Sequence, residues 1–269
     1  MSPTTVGIVG VIVLLLLMFL RMPIGFAMAG VGFLGLAYLR GMDQALSQLG
    51  TIPYSTVASY TLSVVPLFVV MGQFSFHSGL SMELYSTAHK WVGQMKGGLA
   101  MASILACGAF AALSGSSFAT AATMGTVALP EMKRYKYDSS LSSGCLAAGG
   151  TLGILIPPSI PLVIYGLLVE ESVGKLLIAG FLPGILLAFL FMATTYILCR
   201  IKPELGPATP SLSIKERLKS VRDVWQALVV FGGVMGGLYL GVFTPTEAGA
   251  IGSILVFLIG VTRRKLHWR

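Results

Sequence analysis

Gly97 to Pro130, GGLAMASILACGAFAALSGSSFATAATMGTVALP, holds 34 residues and no Lys, Arg, Asp or Glu. As one helix it would rise roughly 51 Å, well past a hydrocarbon core of about 30 Å. Two full crossings would need about 40 residues and a turn. Both flanks are basic, with Lys90 and Lys96 before and Lys133, Arg134 and Lys136 after, so both ends belong on one side of the membrane. The weak helix formers Ser114-Gly115-Ser116-Ser117 divide it into arms of 17 and 13 residues, roughly 25 and 20 Å as helices. The pattern predicts a re-entrant hairpin.

Irregular backbone at membrane depth is tolerated only where it is buried in protein or lines a watery cavity. The tip must therefore face a site. The first arm ends there with free carbonyls and a partial negative charge, and the second begins there with free amides and a partial positive charge. One turn can hold a cation and an anion.

Working outward, the chain of 269 residues is 55% hydrophobic and 10% charged, the composition of a polytopic, all-α membrane protein in a lipid bilayer. The net charge of +8 lies at the edges of apolar runs, where it orients a membrane protein and does not mark a nucleic-acid partner. Cys107, Cys145 and Cys199 are far apart in apolar runs and read as packing residues rather than a disulfide or metal set. The opening segment has no basic n-region and no small-residue cleavage pattern before Arg21, so it reads as a retained first crossing.

Met1 to Leu20 and Met22 to Leu39 are two antiparallel crossings ended by Arg21 and Arg40. Gln44 to Gln48 reads as an interfacial part, followed by a crossing from about Tyr60 to Phe76 that Pro66 should kink. Ser81 to Lys96 carries Leu84, Ala88 and Trp91 at helical spacing and reads as a surface amphipathic helix leading into the hairpin. His77 and His89 read as solvated or packing side chains. Beyond the hairpin, Asp138 suits an N-cap, and Ser139 to Val169 is a 31-residue uncharged segment with Gly153-Ile154-Leu155-Ile156-Pro157-Pro158-Ser159-Ile160-Pro161 at its middle. Pro157 and Pro158 free the carbonyls of Gly153 and Ile154, and Pro161 frees that of Pro157, so the helix must break. Leu176 to Cys199 crosses next, and Ser213-Ile214-Lys215-Glu216 is a capping box in the polar segment Arg200 to Arg222. Val224 to Val242 returns, and Thr244-Pro245-Thr246-Glu247 opens a last crossing before Arg263, Arg264, Lys265 and Arg269. The expected organisation is scaffold helices over 1–80, an interfacial helix over 81–96, hairpin and broken helix over 97–169, a scaffold crossing and loop over 170–222, and terminal crossings over 223–269.

Seven crossings with the N-terminus outside and the C-terminus cytoplasmic put sixteen of the eighteen Lys and Arg on the cytoplasmic side. Gly115-Ser116-Ser117 has no His or carboxylate within an apolar span to activate it, which argues against a hydrolase. Metal catalysis lacks ligands, and all ten acidic residues lie at ends or in loops, which argues against proton-driven transport. Oxygen remains. Hydroxyls and carbonyls at two breaks suit a hard cation such as sodium without burying a formal charge.

LSGSSFATAATMG, GGTLGILIPPSIPLVIYG and FTPTEAGAIG together resemble the large membrane subunit of the tripartite ATP-independent periplasmic (TRAP) transporters, and the likeness runs along the whole chain. The resemblance implies a sodium-driven importer of the bacterial inner membrane that takes carboxylates such as dicarboxylates or sialic acid. It also implies a small membrane subunit, a periplasmic solute-binding protein, and elevator-like movement of a transport domain against a scaffold. Carried onto this sequence, Ser114, Gly115, Ser116 and Ser117 with the carbonyls of Gly153, Ile156 and Pro158 resemble the first sodium site. Ser117, Thr120, Thr123 and Thr151 are candidates for the substrate cavity by their closeness to the breaks.

The family has two inverted repeats, and this sequence covers the first and the start of the second. Its other half is expected on a longer or a separate polypeptide. Three function classes follow: a transporter subunit, a passive channel or scaffold subunit, and an inactive remnant.

Overall fold

The computed structural model describes residues 2–210 and 213–265. Arg269 of the terminal basic group lies outside the described residues. Helices account for nearly all the regular structure, with no strand among the described residues. The chain divides into two compact units, Met1–Ser59 and Tyr60–Arg269.

The first unit holds α1 (Pro3–Phe19), α2 (Ile24–Arg40) and α3 (Met42–Val57). Ser2 caps α1 by accepting the Thr5 amide at 3.2 Å. Most side chains here are exposed and apolar, including Leu15, Leu16, Phe26 and Leu34, as lipid-facing surfaces are.

The second unit begins with a 3-10 turn, Tyr60–Ser63, running into α4 (Val64–His77). Pro66 thus falls in the first helical turn, where its missing amide needs no partner, and the mid-span kink expected from sequence gives way to a tightened start. Then come α5 (Leu80–Val92), α6 (Gly98–Ser114), α7 (Ser117–Arg134), α8 (Ser139–Leu155), α9 (Ile160–Leu168), α10 (Val173–Ile201), α11 (Ile214–Asp223), α12 (Trp225–Tyr239) and α13 (Pro245–Thr262). Both capping boxes form, Ser213 with Glu216 and Thr244 with Glu247. Asp138 caps α8 by accepting the Ser140 and Leu141 amides at 2.9 and 3.0 Å.

All seven expected crossings coincide with helices. The Tyr60–His77, Val173–Ile201 and Pro245–Thr262 segments are long and apolar enough to cross, and α8 with α9 forms a further span bent by 42°. The apolar α1, α2 and α12 are 15 to 17 residues long, about 22 to 25 Å. A shortfall of that size is met by local thinning or by flanking side chains that reach the interface.

At the centre lies α6, buried along almost its whole length. Small residues let its neighbours approach: a Cβ on Gly149 of α8 would stand 2.9 Å from the Cys107 sulfur, the close-packing device of membrane helices. The three cysteines are free and buried. The helix α4, grouped by sequence with the N-terminal scaffold, runs parallel to α13, with Ser253 donating to the Leu67 carbonyl at 2.7 Å and Phe74 5.2 Å from Phe257.

One end of this unit is polar and basic. Residues 202–209 strap the hairpin base: the Gly97 amide donates to Gly206 O at 2.9 Å, the Asp138 amide to Leu205 O at 3.0 Å and the Thr209 amide to Gly93 O at 3.1 Å. Tyr137 sits between, its hydroxyl accepting the Leu99 amide at 3.1 Å and donating to Pro207 O at 2.8 Å. The basic α11 lies on α5, with Thr87 donating to Ser220 O at 3.1 Å and Lys90 paired to Asp223 at 3.4 Å. The buried face of α5 is Leu80, Ser81, Leu84, Tyr85 and Ala88; Trp91, expected in that stripe, is 44% exposed.

Candidate functional site: two helix breaks in contact

Gly97–Pro130 is a hairpin. Its base is closed by Leu99 beside Tyr137 and, one turn deeper, by Ser103 beside the Met132 sulfur at 3.6 Å. At its tip Gly115 is left-handed (φ +63°) and Ser116 is extended (φ −129°, ψ 124°). Glycine takes the first conformation without penalty, and the second suits an N-cap: the Ser116 hydroxyl accepts the Ala119 amide at 3.3 Å. Ser114 and Thr120 share a hydroxyl hydrogen bond of 2.9 Å across the turn, both fully buried.

The second break lies directly against the first. The Ile160 amide at the start of α9 donates to the Gly115 carbonyl at the end of α6, 3.0 Å away. A Cβ on Gly115 would stand 3.0 Å from the Pro158 carbonyl oxygen, and one on Gly153 would stand 2.9 Å from the Ser117 nitrogen and 3.0 Å from the Ser116 oxygen. Four helix ends therefore converge. The carbonyl ends of α6 and α8 carry partial negative charge, and the amide ends of α7 and α9 carry partial positive charge.

The depth of this meeting can be read along α10. The hairpin base touches its Thr195–Cys199 end, beside Gly97, while Gly180 and Gly184 abut Leu155 and Ile156 of the break. The two levels are about 11 to 19 residues apart, roughly 16 to 28 Å. The breaks thus lie well inside the span, in an element about 43 Å long.

Ser114, Gly115, Ser116, Ser117, Gly153, Ile156 and Pro158 are brought together at this junction. The four substrate candidates differ in setting: Thr120 is sealed against Ser114, Ser117 and Thr123 are half-buried, and Thr151 is exposed with its hydroxyl donating to Ala148 O at 2.6 Å. Ser159 was not singled out from sequence. Fully buried, it donates to the Ile154 carbonyl at 2.5 Å and caps α9 through the Leu162 amide at 3.4 Å. The carbonyl freed by Pro158 is thus satisfied within the chain. Ser-Ile-Pro, a cap residue followed by proline in the first turn, is the signal that points to it.

A multi-pass helical protein whose hairpin tip abuts a proline-broken helix at depth has the build of a secondary-transport permease. A family model described as "Tripartite ATP-independent periplasmic transporter, DctM component" matches residues 11–269, and the chain belongs to that family of permease subunits, which are not enzymes. It is 44% identical over 201 residues to the C4-dicarboxylate TRAP transporter large permease protein DctM of Pseudomonas aeruginosa, covering 75% of this chain and 47% of that one. It is 32% identical over 246 residues to the sialic acid TRAP transporter large permease protein SiaM of Vibrio cholerae, covering 91% and 56%. With the isethionate TRAP transporter permease protein DctMQ of Oleidesulfovibrio alaskensis it shares 35% identity over 231 residues, covering 84% and 36%. The chain spans about half the length of such curated relatives.

Proposed function

We propose that this chain supplies the first half-site of a sodium-coupled permease that imports oxyanionic solutes across the bacterial inner membrane. In this reading its N-terminus is periplasmic and its C-terminus cytoplasmic, and it acts with a small TRAP membrane subunit, a periplasmic solute-binding protein and the second repeat, which a longer chain or a separate C-terminal half supplies. Relatives named for C4-dicarboxylates, sialic acid and isethionate share an anionic carboxylate or sulfonate group. The observation that carries the reading is the contact of Gly115 with Ile160 and Pro158.

Carbonyl and hydroxyl oxygens of Ser114, Gly115, Ser116, Ser117, Gly153, Ile156 and Pro158 hold sodium, favoured by the partial negative ends of α6 and α8. Ser117, Thr123 and Thr151 offer hydroxyls toward the solute, whose anionic group is drawn to the amide end of α7. Thr120 acts through Ser114, orienting its hydroxyl. Binding of the ion joins the hairpin to the broken helix, so that the two travel together in an elevator-like step.

The test is a thermal-shift titration of the purified chain with NaCl and KCl at equal ionic strength, for wild type, Ser117→Ala and Pro158→Ala. Sodium should raise the unfolding midpoint where potassium does not, and both substitutions should diminish the difference. An undiminished sodium response in both variants would put the ion elsewhere.

A further inference from the structure

At the basic end, where the apolar helices give way to polar chain, a cavity of about 380 Å³ opens between α5, α11, α12 and α13. Its volume equals roughly a dozen waters. Glu83 and Arg263 meet in its wall at 2.6 Å, an ion pair that engages only one carboxylate oxygen. The other, Glu83 Oε2, is buried without a partner among the described residues, as is the amide oxygen Oε1 of Gln226 in the same wall. Two unanswered buried acceptors of this kind are destabilising; only a donor answers them.

The remaining charges define the rest of the ligand. Asp223 is held by Lys90 at 3.4 Å, whereas Arg222 makes no ion pair among the described residues. The four charged lining residues, Glu83, Asp223, Arg222 and Arg263, sum to zero, and the cavity offers an unpaired cation at Arg222 together with unanswered acceptors on Glu83 and Gln226, which are the complements of the two poles of a zwitterion. Trp225, 53% exposed, opens α12 at the cavity's rim, and tryptophan marks the headgroup level of membranes.

We propose that this cavity seats the headgroup of a primary-amine phospholipid, phosphatidylethanolamine, from the adjoining leaflet. The ammonium donates to Glu83 Oε2 and Gln226 Oε1 as the two side chains turn toward the cavity they line, and the phosphodiester lies against Arg222. A choline headgroup has no N–H to donate, and a glycerol headgroup brings a net negative charge to a neutral wall. The inference depends on the chain being a membrane protein and not on sodium or solute coupling.

The experiment compares the chain in nanodiscs in which a fixed fraction of dioleoyl-phosphatidylcholine is replaced by dioleoyl-phosphatidylethanolamine or dioleoyl-phosphatidylglycerol. The expected result is a higher unfolding midpoint with the ethanolamine lipid than with either other, and loss of that preference in Glu83→Gln and in Gln226→Leu. Gln226 lies outside the ion pair, so its variant reports even if Glu83→Gln fails to fold, and general bilayer stress is common to wild type and variant. Equal midpoints in all three lipids, or an ethanolamine preference that persists in Gln226→Leu, would overturn the proposal. So would equal stabilisation by soluble O-phosphoethanolamine in discs without the lipid, which would assign the site to a free metabolite.

Discussion

The Ile160 amide donates to the Gly115 carbonyl across 3.0 Å, joining the start of α9 to the end of α6. Neither group has an intrahelical partner, because each is a helix terminus left over by a break. Each break thus answers a backbone group exposed by the other, and the irregular backbone that hydrocarbon forbids becomes a buried, hydrogen-bonded joint. The pairing also sets a C-terminal dipole end against an N-terminal one, which lowers the electrostatic cost of leaving both at depth.

The joint leaves no room for side chains at two positions. At Gly115 an alanine would hold a left-handed backbone and press its Cβ to 3.0 Å from Pro158 O, and at Gly153 it would meet the Ser116–Ser117 backbone at 2.9 Å. Neither neighbour is a flexible side-chain end that could swing away. Each Gly→Ala change should cost about 1–3 kcal/mol, read as a lowered thermal midpoint in detergent. Gly125→Ala, where nothing lies within 4 Å, should leave the midpoint unchanged or slightly raised. A midpoint for Gly153→Ala equal to wild type would mean that the two breaks do not touch in solution.

Ser159 is a separate test of the same joint. Its hydroxyl answers the Ile154 carbonyl that Pro158 leaves unpaired and also caps α9. Ser159→Ala should therefore cost about 1–3 kcal/mol, the sum of a lost cap and an orphaned buried carbonyl. Ser159→Thr, which keeps the oxygen, should recover most of it. Urea unfolding of the three proteins in mild detergent gives the comparison.

Much of this was legible in the sequence, and what was not has a physical cause. The hairpin followed from counting uncharged residues between basic flanks, and the break from prolines whose missing donors no packing can restore. Capping boxes at Ser213 and Thr244 were legible because their partners are three residues away. The engagement of the Ile154 carbonyl by Ser159 was not, since it depends on how far the second half of the helix turns, here 42°. Trp91 fits the helical period of α5 yet faces outward, because the buried face is set by α6 and includes the polar-tipped Tyr85. The 202–209 strap contains one local turn, Leu205 N to Lys202 O at 3.2 Å, but the hydrogen bonds that hold it to the hairpin base join residues far apart in the chain, which no local pattern announces.

Tyr137 is the strap's centre. Its hydroxyl accepts from Leu99 and donates to Pro207, so Tyr137→Phe strands an amide and a carbonyl at the hairpin base. A loss of about 1–3 kcal/mol is expected, with faster hydrogen exchange at Leu99 than in the tip residues. Burial pushes the phenol up to about 12. A raised folded value means that this contribution is complete below the ordinary value of 10.0 and fades only as pH climbs toward 12. The Tyr137→Phe penalty should hence be the same at about pH 6 and pH 8; a penalty that varied with pH over that range would point to a different partner.

His89 behaves oppositely. It sits half-buried at the basic end, bonded through Nε2 to the Thr209 hydroxyl at 3.2 Å and flanked by the rings of Tyr85 and Tyr135 at 6.4 and 6.1 Å. Burial lowers its pKa from the ordinary 6.5, with Lys90 acting in the same sense and Glu131 against it. The unfolded chain therefore binds a proton at His89 before the folded chain does. Its contribution is present above 6.5 and is lost as pH falls through the folded value. Protonation places a charge in the half-buried setting between α5 and the strap, and burial is what opposes it. In a midpoint series from about pH 7.5 to 5, His89→Gln, which keeps a hydrogen-bonding group but cannot titrate there, should lose less stability than wild type. Parallel wild-type and variant curves would remove His89 from the acid response.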